Sequence, residues 1–422
     1  MYNLLKKRMM MPMIFLVLFL MTFLFDSPNT IYQGYLKILQ SPSVLISDYL
    51  YIGGLGATLF NVSTIMLLNI VMLRSLKLKM TGPIFAGLFT IAGFSFFGKN
   101  IFNTIPIYFG IYLHARRMKL EFKSFIIVIL FSTGISPIVS FMIFGTNWPF
   151  YIGIPAGILI GIFTGFILPT ISAHVIRFHK GYNLYNIGFA MGILSMVYAA
   201  LLQSIFGFDL FRFDSTTSNL YHTELFVLVL VLSLIFIISG FISDKNVLKK
   251  YPKLLKSTGR LVSDFIRDYG KDIAMINVGI MGFISLIFIV TLGIKINGAV
   301  MGGILTVMGF GAFGKHPKNA LPVMLGASLW YLIVLSRDGS ASVGLQIAVL
   351  FVTAVSPIAG RHGFLLGIVA GFVHVVLTPF TYIFQGGFDL YNNGFAAGFV
   401  AAILIPIFDF LRKDKIEGDL SE

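Results

Sequence analysis

The chain contains no cysteine, and that absence excludes several kinds of chemistry. Without thiols there is no disulfide framework, no thiol catalysis and no cysteine-ligated metal, and the redox compartment stays undetermined. Charge is also scarce, because only 11% of the 422 residues are charged. So few charged residues do not suffice for the surface of a large soluble domain.

Hydrophobic residues dominate instead. They make up 57% of the chain, and the mean hydropathy is +0.90. The hydrophobic runs are long enough to cross about 30 Å of hydrocarbon as helices, so we predict a polytopic membrane protein. The net charge of +14 does not indicate nucleic acid. Lys and Arg lie in short loops beside the hydrophobic runs, as an orientation signal does.

Fourteen hydrophobic segments are predicted to cross the membrane. The basic loops beside them predict a plasma-membrane protein whose N-terminus and C-terminus are both cytoplasmic. The first segment resembles a signal peptide but lacks a small-residue cleavage site, so we interpret it as a retained helix. The segments lie at about 9–25, 50–73, 81–97, 101–115, 124–145, 150–176, 182–205, 225–243, 272–292, 298–313, 320–336, 343–359, 363–384 and 388–411.

The sequence contains an internal duplication. The stretch GYNLYNIGFAMG at 181–192 returns as GFDLYNNGFAAG at 387–398, an offset of 206 residues. An earlier stretch that begins at Gly82 returns at Gly298, an offset of 216 residues. Each copy holds seven predicted segments, and an odd number makes the second copy enter the membrane from the opposite face.

We therefore predict an all-α integral membrane protein of about 14 transmembrane helices in two inverted-topology repeats. The first membrane repeat would span residues 1–215 and the second residues 216–422. A basic connector at 244–271 would lie in the cytoplasm, where anionic lipid attracts it.

Two lysines at equivalent positions, Lys99 and Lys315, end glycine-rich segments. The positive-inside rule accounts for Lys315, but the inversion puts Lys99 on the other face, where that rule gives no reason for a lysine. A shared role covers both residues: each attracts an anionic solute at a vestibule, or each binds the carbonyls at a helix C-terminus. The glycines indicate either close helix packing or a broken helix along a pathway.

Polar residues within the apolar segments are further candidates for binding a solute. Asn61 and Asn277 need a partner in the membrane, either another helix or the solute. Ser136 and Ser356 each precede a proline, which frees a backbone carbonyl beside the hydroxyl. That pair of groups could bind a solute, or the proline could be a structural kink alone.

The repeated Tyr-Asn motif places polar side chains where a helix enters the membrane, either as caps or as part of a site. Asp389 stands where the first copy has Asn183. It is a candidate site for a coupling ion or proton, or a partner for the positive end of a helix. The candidate solute ligands of the motif are Tyr185, Asn186, Tyr391 and Asn392.

Enzyme motifs are missing from the sequence, since it has no Walker loop, no HExxH, no GxSxG and no clustered metal ligands. We expect no enzymatic activity, no cofactor and no bound metal.

The tandem blocks GPxxxG…GK and LYNxGFAxG resemble an uncharacterised bacterial membrane family defined by a duplicated domain of unknown function. This resemblance covers about Leu45 to Leu411 and implies no substrate. A weaker likeness is to urea transporters, whose inverted halves carry glycine-rich segments after Asn-Pro and a Gly-Tyr-Asn-Gly turn. Nucleobase and sulfate/bicarbonate transporters are similar in topology, with two inverted repeats of seven.

Together these features predict a secondary transporter of a small polar or anionic solute, which binds between the repeats and moves by alternating access. The alternatives are a passive channel like the urea transporters and a membrane scaffold or subunit without a pathway. The expected partners are the lipid bilayer and a small-molecule solute, and the sequence leaves a homo-oligomer open. A pathway requires a water-filled cleft, expected beside Ser136, Ser356, Gly93 or Gly309.

Overall fold

The structure is a computed structural model that describes residues 10–211 and 216–411. Within these ranges the regular elements are helices, and the only β-type pairings are isolated bridges from Ser47 to Thr216 and from Asp48 to Phe97. The predicted all-α class is therefore confirmed for the described part of the chain.

The first half contains nine α-helices. A 3₁₀ turn precedes the sixth of them, another follows it, and a π-helical turn follows the seventh. The α-helices are α1 (Met10–Phe25), α2 (Pro28–Leu39), α3 (Tyr49–Ser75), α4 (Gly82–Phe94), α5 (Ile101–Met118), α6 (Ile126–Ser132), α7 (Pro137–Ser140), α8 (Phe150–Val175) and α9 (Asn186–Phe206).

The second half contains ten α-helices in an equivalent order. A 3₁₀ turn at Val352–Val355 interrupts one span at the place where Thr133–Ile135 interrupts its counterpart. The α-helices are α10 (His222–Ser243), α11 (Val247–Leu254), α12 (Phe265–Tyr269), α13 (Lys271–Thr291), α14 (Gly298–Phe310), α15 (Pro317–Asp338), α16 (Val343–Phe351), α17 (Ser356–His362), α18 (Phe364–Gln385) and α19 (Asn392–Leu411).

Length and apolar composition allow nine membrane-crossing helices among the described residues, or eleven when two bent helix pairs each count as one span. Both pairs lie in the first half: α1 and α2 are bent by 112°, and the span that contains α6 and α7 is bent by 43°. The helices α4 and α14 are shorter, at 13 residues each. All fourteen predicted segments contain helix, but the count of fourteen crossings remains a prediction.

The two short helices lie side by side and run antiparallel in the core. A Cβ atom added to Gly93 would lie 2.8 Å from the carbonyl oxygen of Gly302, and one added to Gly82 would meet the carbonyl oxygen of Ala312. A Cβ atom on Gly298 would lie 2.6 Å from the carbonyl oxygen of Phe96. The glycines therefore permit close helix packing, which was one of the two interpretations of the glycine-rich segments.

Each short helix is capped by a carboxylate from the other half of the chain. The N–H of Gly82 donates to Asp264 at 2.8 Å, and the N–H of Gly298 donates to Asp48 at 3.3 Å. The first N–H groups of a helix lack partners within that helix, so these aspartates satisfy them. The exchanged caps tie the two halves together at both ends of the α4–α14 pair.

Contacts between turns define two ends of the molecule. At the first, the N–H of Leu261 donates to the carbonyl of Gly181 at 3.0 Å. At the second, the N–H of Leu45 donates to the carbonyl of Gly387 at 2.9 Å. The first, called the connector end, comprises the turns 180–184, 257–264 and 312–319, and the second, called the opposite end, comprises the turns 45–48, 294–298 and 386–390.

Candidate functional site

The two equivalent lysines lie in the turns that follow the short helices, and both are buried. Lys99 is 1% exposed and Lys315 is 0% exposed. The structure thus places both lysines inside the protein rather than at the surface of a vestibule, and a buried side chain does not steer a distant solute through water. A lysine in such an environment can act only on a group that it contacts directly.

Two asparagines hold these turns inside the protein. The amide nitrogen of Asn61 donates to the carbonyls of Ser95 and Lys99, at 2.8 and 2.9 Å. The amide of Asn277 holds the carbonyls of Gly311 and Lys315 in the same way, at 2.6 and 2.7 Å. Of the two roles predicted for Asn61 and Asn277, the structure therefore favours bonding within the protein over contact with a solute.

The lysine of the second half makes both hydrogen bonds and contacts with aromatic rings. Lys315 Nζ donates to the hydroxyl of Tyr185 at 2.6 Å and to that of Thr353 at 2.7 Å. It also lies 4.5 Å from the ring centroid of Tyr185 and 4.7 Å from that of Phe310, distances typical of cation–π contacts. We call Lys315, Tyr185 and Thr353 the paired cluster.

The equivalent residues of the first half are Lys99, Tyr391 and Thr133, which we call the unpaired cluster. Within the described ranges, Lys99 Nζ donates no hydrogen bond, and its contact is with the Phe94 ring, 5.9 Å away. The buried hydroxyls of Tyr391 and Thr133 make no hydrogen bond within 3.5 Å there either, although another hydroxyl lies near each of them. The same three residue types are thus satisfied in one half and unsatisfied in the other.

The Phe94 ring joins the unpaired cluster together. Its centroid lies 4.5 Å from that of Tyr391, and a Cβ atom added to Gly134, next to Thr133, would lie 2.9 Å from the Tyr391 ring. Phe94 therefore contacts both Lys99 and Tyr391, and Thr133 adjoins a residue that packs against Tyr391. The cluster thus holds one lysine and two hydroxyls at neighbouring places in the core. That set recognises an acceptor-rich, negatively charged species.

The two clusters are in contact through their tyrosine rings. The rings of Tyr185 and Tyr391 are 5.0 Å apart between centroids. Their helices α9 and α19 cross where a Cβ atom on Gly394 would lie 3.1 Å from Gly188 Cα. The tyrosines of the repeated motif thus lie on the line that joins the two clusters, so a shift in one cluster can reach the other.

The asparagines of the motif lie elsewhere. The amide of Asn186 donates to the carbonyl of Ser172 at 3.0 Å, and that of Asn392 to the carbonyl of Thr378 at 3.3 Å. These bonds tie the starts of α9 and α19 to the preceding helices α8 and α18. The structure therefore brings the tyrosines, but not the asparagines, to the lysines.

The predicted serines lie at the two interrupted spans, and both are fully buried. The Oγ atoms of Ser136 and Ser356 have no hydrogen-bond partner among the described residues. The side chains that join the clusters are the threonines one helical turn earlier, Thr133 and Thr353. Each threonine precedes its serine by three residues in both halves, and this shared spacing was the signal available in the sequence.

Asp389 lies just before α19 and is fully buried. Its Oδ1 accepts from the N–H of Tyr391 at 2.8 Å, while its Oδ2 has no hydrogen-bond partner within the described ranges. At the equivalent place Asn183 Oδ1 accepts from the N–H of Tyr185 at 2.9 Å, and its Nδ2 donates to the Gly394 carbonyl at 2.8 Å. The carboxylate thus reproduces half of the contacts of the amide.

Among the described residues, the serines and glycines beside which the sequence predicted a cleft are closely packed. The serines are fully buried, and Gly93 and Gly309 pack against backbone of the opposing short helix. A cleft of about 230 Å³ instead reaches the start of α19. Its lining includes Leu45, Phe97, Leu345, Leu390, Asn392 and Asn393.

Two leucines cover the lysine turns. A Cβ atom on Gly98, the residue before Lys99, would lie 2.5 Å from a methyl group of Leu390. A Cβ atom on Gly314 would lie 3.0 Å from a methyl group of Leu184. We call Leu390 and Leu184 the leucine plugs. Because Leu390 also lines the cleft, this plug lies between the cleft and the unpaired cluster.

The described ranges contain no group of three or more His, Asp or Glu side chains placed to hold a metal ion.

A family model described as "Protein of unknown function (DUF1576)" matches residues 27–204 and 243–410. The two matched segments cover most of the chain, so the protein belongs to this family, as the resemblance to an uncharacterised duplicated family predicted. No curated protein matches the chain, and no solved structure matches it. The likeness to urea transporters therefore gains no support.

Proposed function

We propose that this member of the DUF1576 family is a secondary transporter of a small polar solute, most simply an anion, that binds at the unpaired cluster. The carrying observation is a buried lysine beside two buried hydroxyls that have no partner among the described residues. A buried ammonium without an acceptor is costly in the membrane. An anion would satisfy all three groups at once.

We further propose fourteen crossings in two inverted repeats of seven. The antiparallel short helices and the exchanged aspartate caps support this arrangement, because equivalent elements meet with opposite directions. The connector at 244–271 carries eight Lys and Arg residues, whereas the turns 45–48, 294–298 and 386–390 carry one, which favours a cytoplasmic connector end in the plasma membrane. Both termini would then be cytoplasmic as well.

The paired and unpaired clusters suggest how access alternates. Each lysine has two sources of acceptors: its own tyrosine and threonine, or a bound solute. In the conformation at hand Lys315 uses the first source, so the connector end is closed. A second conformation would pair Lys99 with Tyr391 and Thr133, release the solute and unpair Lys315. The leucine plugs Leu390 and Leu184 would open in turn.

The scaffold remains the second candidate, because one specific observation favours it. The glycines of α4 and α14 make a dry, close contact at the place where a pathway was expected. A passive channel fits less well, since Leu390 separates the cleft from the lysine turn. Enzymatic activity has no supporting residue set, and we propose none.

A screen of small anions on the purified protein tests the proposal. Thermal unfolding would be followed with acetate, nitrate, bicarbonate, sulfate and phosphate, each at one ionic strength. A ligand at 100 times its Kd stabilises the native state by about 2.7 kcal/mol. We expect at least one anion to raise the unfolding temperature and to enter liposomes that contain the protein.

The control variants locate the site. Lys99→Gln should lose the shift and the uptake, while Lys79→Gln, on an exposed loop lysine, should keep both. If no anion shifts the wild-type protein or enters the liposomes, the scaffold takes the place of the transporter. If Lys99→Gln responds like the wild type, the unpaired cluster is not the site.

A further inference from the structure

The two copies of the Tyr-Asn motif differ at one buried polar position. Asn183 both accepts and donates: its carbonyl takes the N–H of Tyr185, and its amide reaches across to the Gly394 carbonyl of α19, at 2.8 Å. Asp389 accepts from the N–H of Tyr391 with one oxygen, and its second oxygen has no partner in the described part of the chain.

The equivalence of the two halves identifies what faces that second oxygen. Asn183 donates to the carbonyl of Gly394, and the equivalent glycine is Gly188 of α9. The α9–α19 crossing brings these two glycines together. The group expected opposite Asp389 Oδ2 is therefore the carbonyl of Gly188, an acceptor. A carboxylate cannot donate to an acceptor, whereas a protonated carboxyl group can.

We infer that Asp389 is the proton-binding site of this protein, and that its proton fastens α19 to α9 by donating to the Gly188 carbonyl. The coupling of this proton to solute movement rests on the proposed transport function, but the proton site itself does not. When the O–H bond breaks, the electron pair stays on the carboxylate and the proton passes to water in the cleft. Two acceptors then face each other, and the helix crossing loosens.

Other titratable groups lie on the elements that pack against the Asp389 segment. They include Tyr185 at the start of α9, Tyr198 on α9, His374 and Tyr382 on α18, and Tyr391, Asp48 and Lys99. Tyrosines are neutral at physiological pH. Lys99 follows Gly98, which packs against Leu390, the residue after Asp389.

No charged side chain pairs with Asp389 among the described residues, so the partner of its second oxygen is the Gly188 carbonyl that we infer above.

Infrared titration of the full chain in lipid nanodiscs tests the proton site without any solute. The wild-type protein should show the carbonyl stretch of a buried protonated carboxyl group, and this band should weaken as the pH is raised. Asp389→Asn should remove the band. Asp209→Asn is the matched control, because Asp209 also accepts from the N–H two residues later but is exposed.

A second measurement covers the case in which Asp389→Asn folds poorly. Asn183→Asp places a carboxyl group at the equivalent site, opposite the Gly394 carbonyl, and should add a second titrating band. In the wild type the proton is bound in the native state and released on unfolding. Stability should therefore fall with rising pH, by up to about tenfold in the unfolding equilibrium constant per pH unit. Asp389→Asn should remove that slope.

Two results would overturn the inference. One is a wild-type band that persists unchanged in Asp389→Asn, and the other is the lack of a titrating band in both the wild type and Asn183→Asp. If the band behaves as expected but no anion shifts or crosses with the protein, the proton site stands and the transport proposal fails. If anions are transported but the band is unchanged in Asp389→Asn, the transport proposal stands and the proton site fails.

Discussion

The two lysine clusters have the same residue types and opposite states. At the connector end Lys315 donates to Tyr185 and Thr353, whereas at the opposite end Lys99 donates to neither Tyr391 nor Thr133. Composition cannot cause this difference, because the three residues are identical in kind. The arrangement of the surrounding elements must cause it, and under the proposed function this difference marks which end of the protein is closed.

A second pair of contacts differs in the same direction. Asn277 Oδ1 accepts from the hydroxyl of Tyr251 at 2.8 Å, while Asn61 Oδ1 has no hydrogen-bond partner among the described residues. Tyr251 belongs to α11 in the connector, and its equivalent, Tyr35, belongs to α2. The connector therefore fastens its own end more fully than α2 fastens the other. Such asymmetry between equivalent halves is what alternating access requires.

The largest expected effect comes from locking the connector end. Leu184 and Ala354 are adjacent across a backbone hydrogen bond of 2.9 Å, and the chain has no cysteine of its own. A Leu184→Cys, Ala354→Cys pair should cross-link on oxidation and hold the plug closed. We expect uptake of the selected anion to fall at least about tenfold, because both ends must open in turn.

Anion binding should survive that cross-link, since the unpaired cluster lies at the other end. Thermal shift measures the binding, and vesicle uptake measures the transport. Reduction should restore uptake, and each single-cysteine variant should behave alike under both conditions. Undiminished uptake in the cross-linked protein would show that the connector end need not open. The proposal that the two clusters open in turn would then fail.

The next effect concerns stability. Lys315→Met removes two buried hydrogen bonds and takes from the Tyr185 hydroxyl its donor, while the Thr353 hydroxyl keeps its bond to the Leu350 carbonyl. We expect a loss of about 2–5 kcal/mol. Lys99→Met removes no hydrogen bond to the described residues and should change stability by about 1 kcal/mol or less, in either direction. Unfolding of both variants in one detergent gives the comparison. Equal losses of stability in the two variants would mean that Lys99 of the unpaired cluster is hydrogen-bonded in solution.

Much of the helical framework follows from hydropathy and duplication. The predicted segment 150–176 corresponds to Phe150–Val175, and 298–313 corresponds to Gly298–Phe310. Long apolar runs bounded by basic loops leave few alternatives in a membrane, because each backbone polar group must be satisfied within a helix. The prediction was weakest where a span is interrupted, since the 3₁₀ turn at Thr133–Ile135 depends on tertiary contacts.

The burial of the lysines could not be read from the sequence. A lysine between two apolar segments is assigned to a loop, because hydropathy is an average over neighbours in the chain. Lys99 is buried by contacts that are distant in sequence: Asn61, 38 residues away, holds its carbonyl, and Leu390 covers its turn. The duplication gave the one usable hint, because it paired Lys99 with Lys315 across opposite faces.

The smallest effect we expect comes from the connector tyrosine. Tyr251→Phe removes one hydroxyl that donates to Asn277, while the Asn277 amide keeps its two carbonyls. One net hydrogen bond contributes about 0.5–1.5 kcal/mol, so the loss should stay in that range. Tyr35→Phe should cost less, because no hydrogen bond joins Tyr35 to Asn61 within the described ranges.

Thermal unfolding of the two variants, measured side by side, resolves this difference, and uptake measurements extend it. Without the hydrogen bond from Tyr251 to Asn277, the conformation in which the connector end is open should be easier to reach. Tyr251→Phe should therefore also shift the balance of the two conformations, whereas Tyr35→Phe should not. If the two substitutions cost the same and alter uptake equally, the hydrogen bond from Tyr251 is not what distinguishes the ends. The cause of the asymmetry would then lie in the clusters themselves, where the tyrosine–tyrosine contact links Lys99 to Lys315.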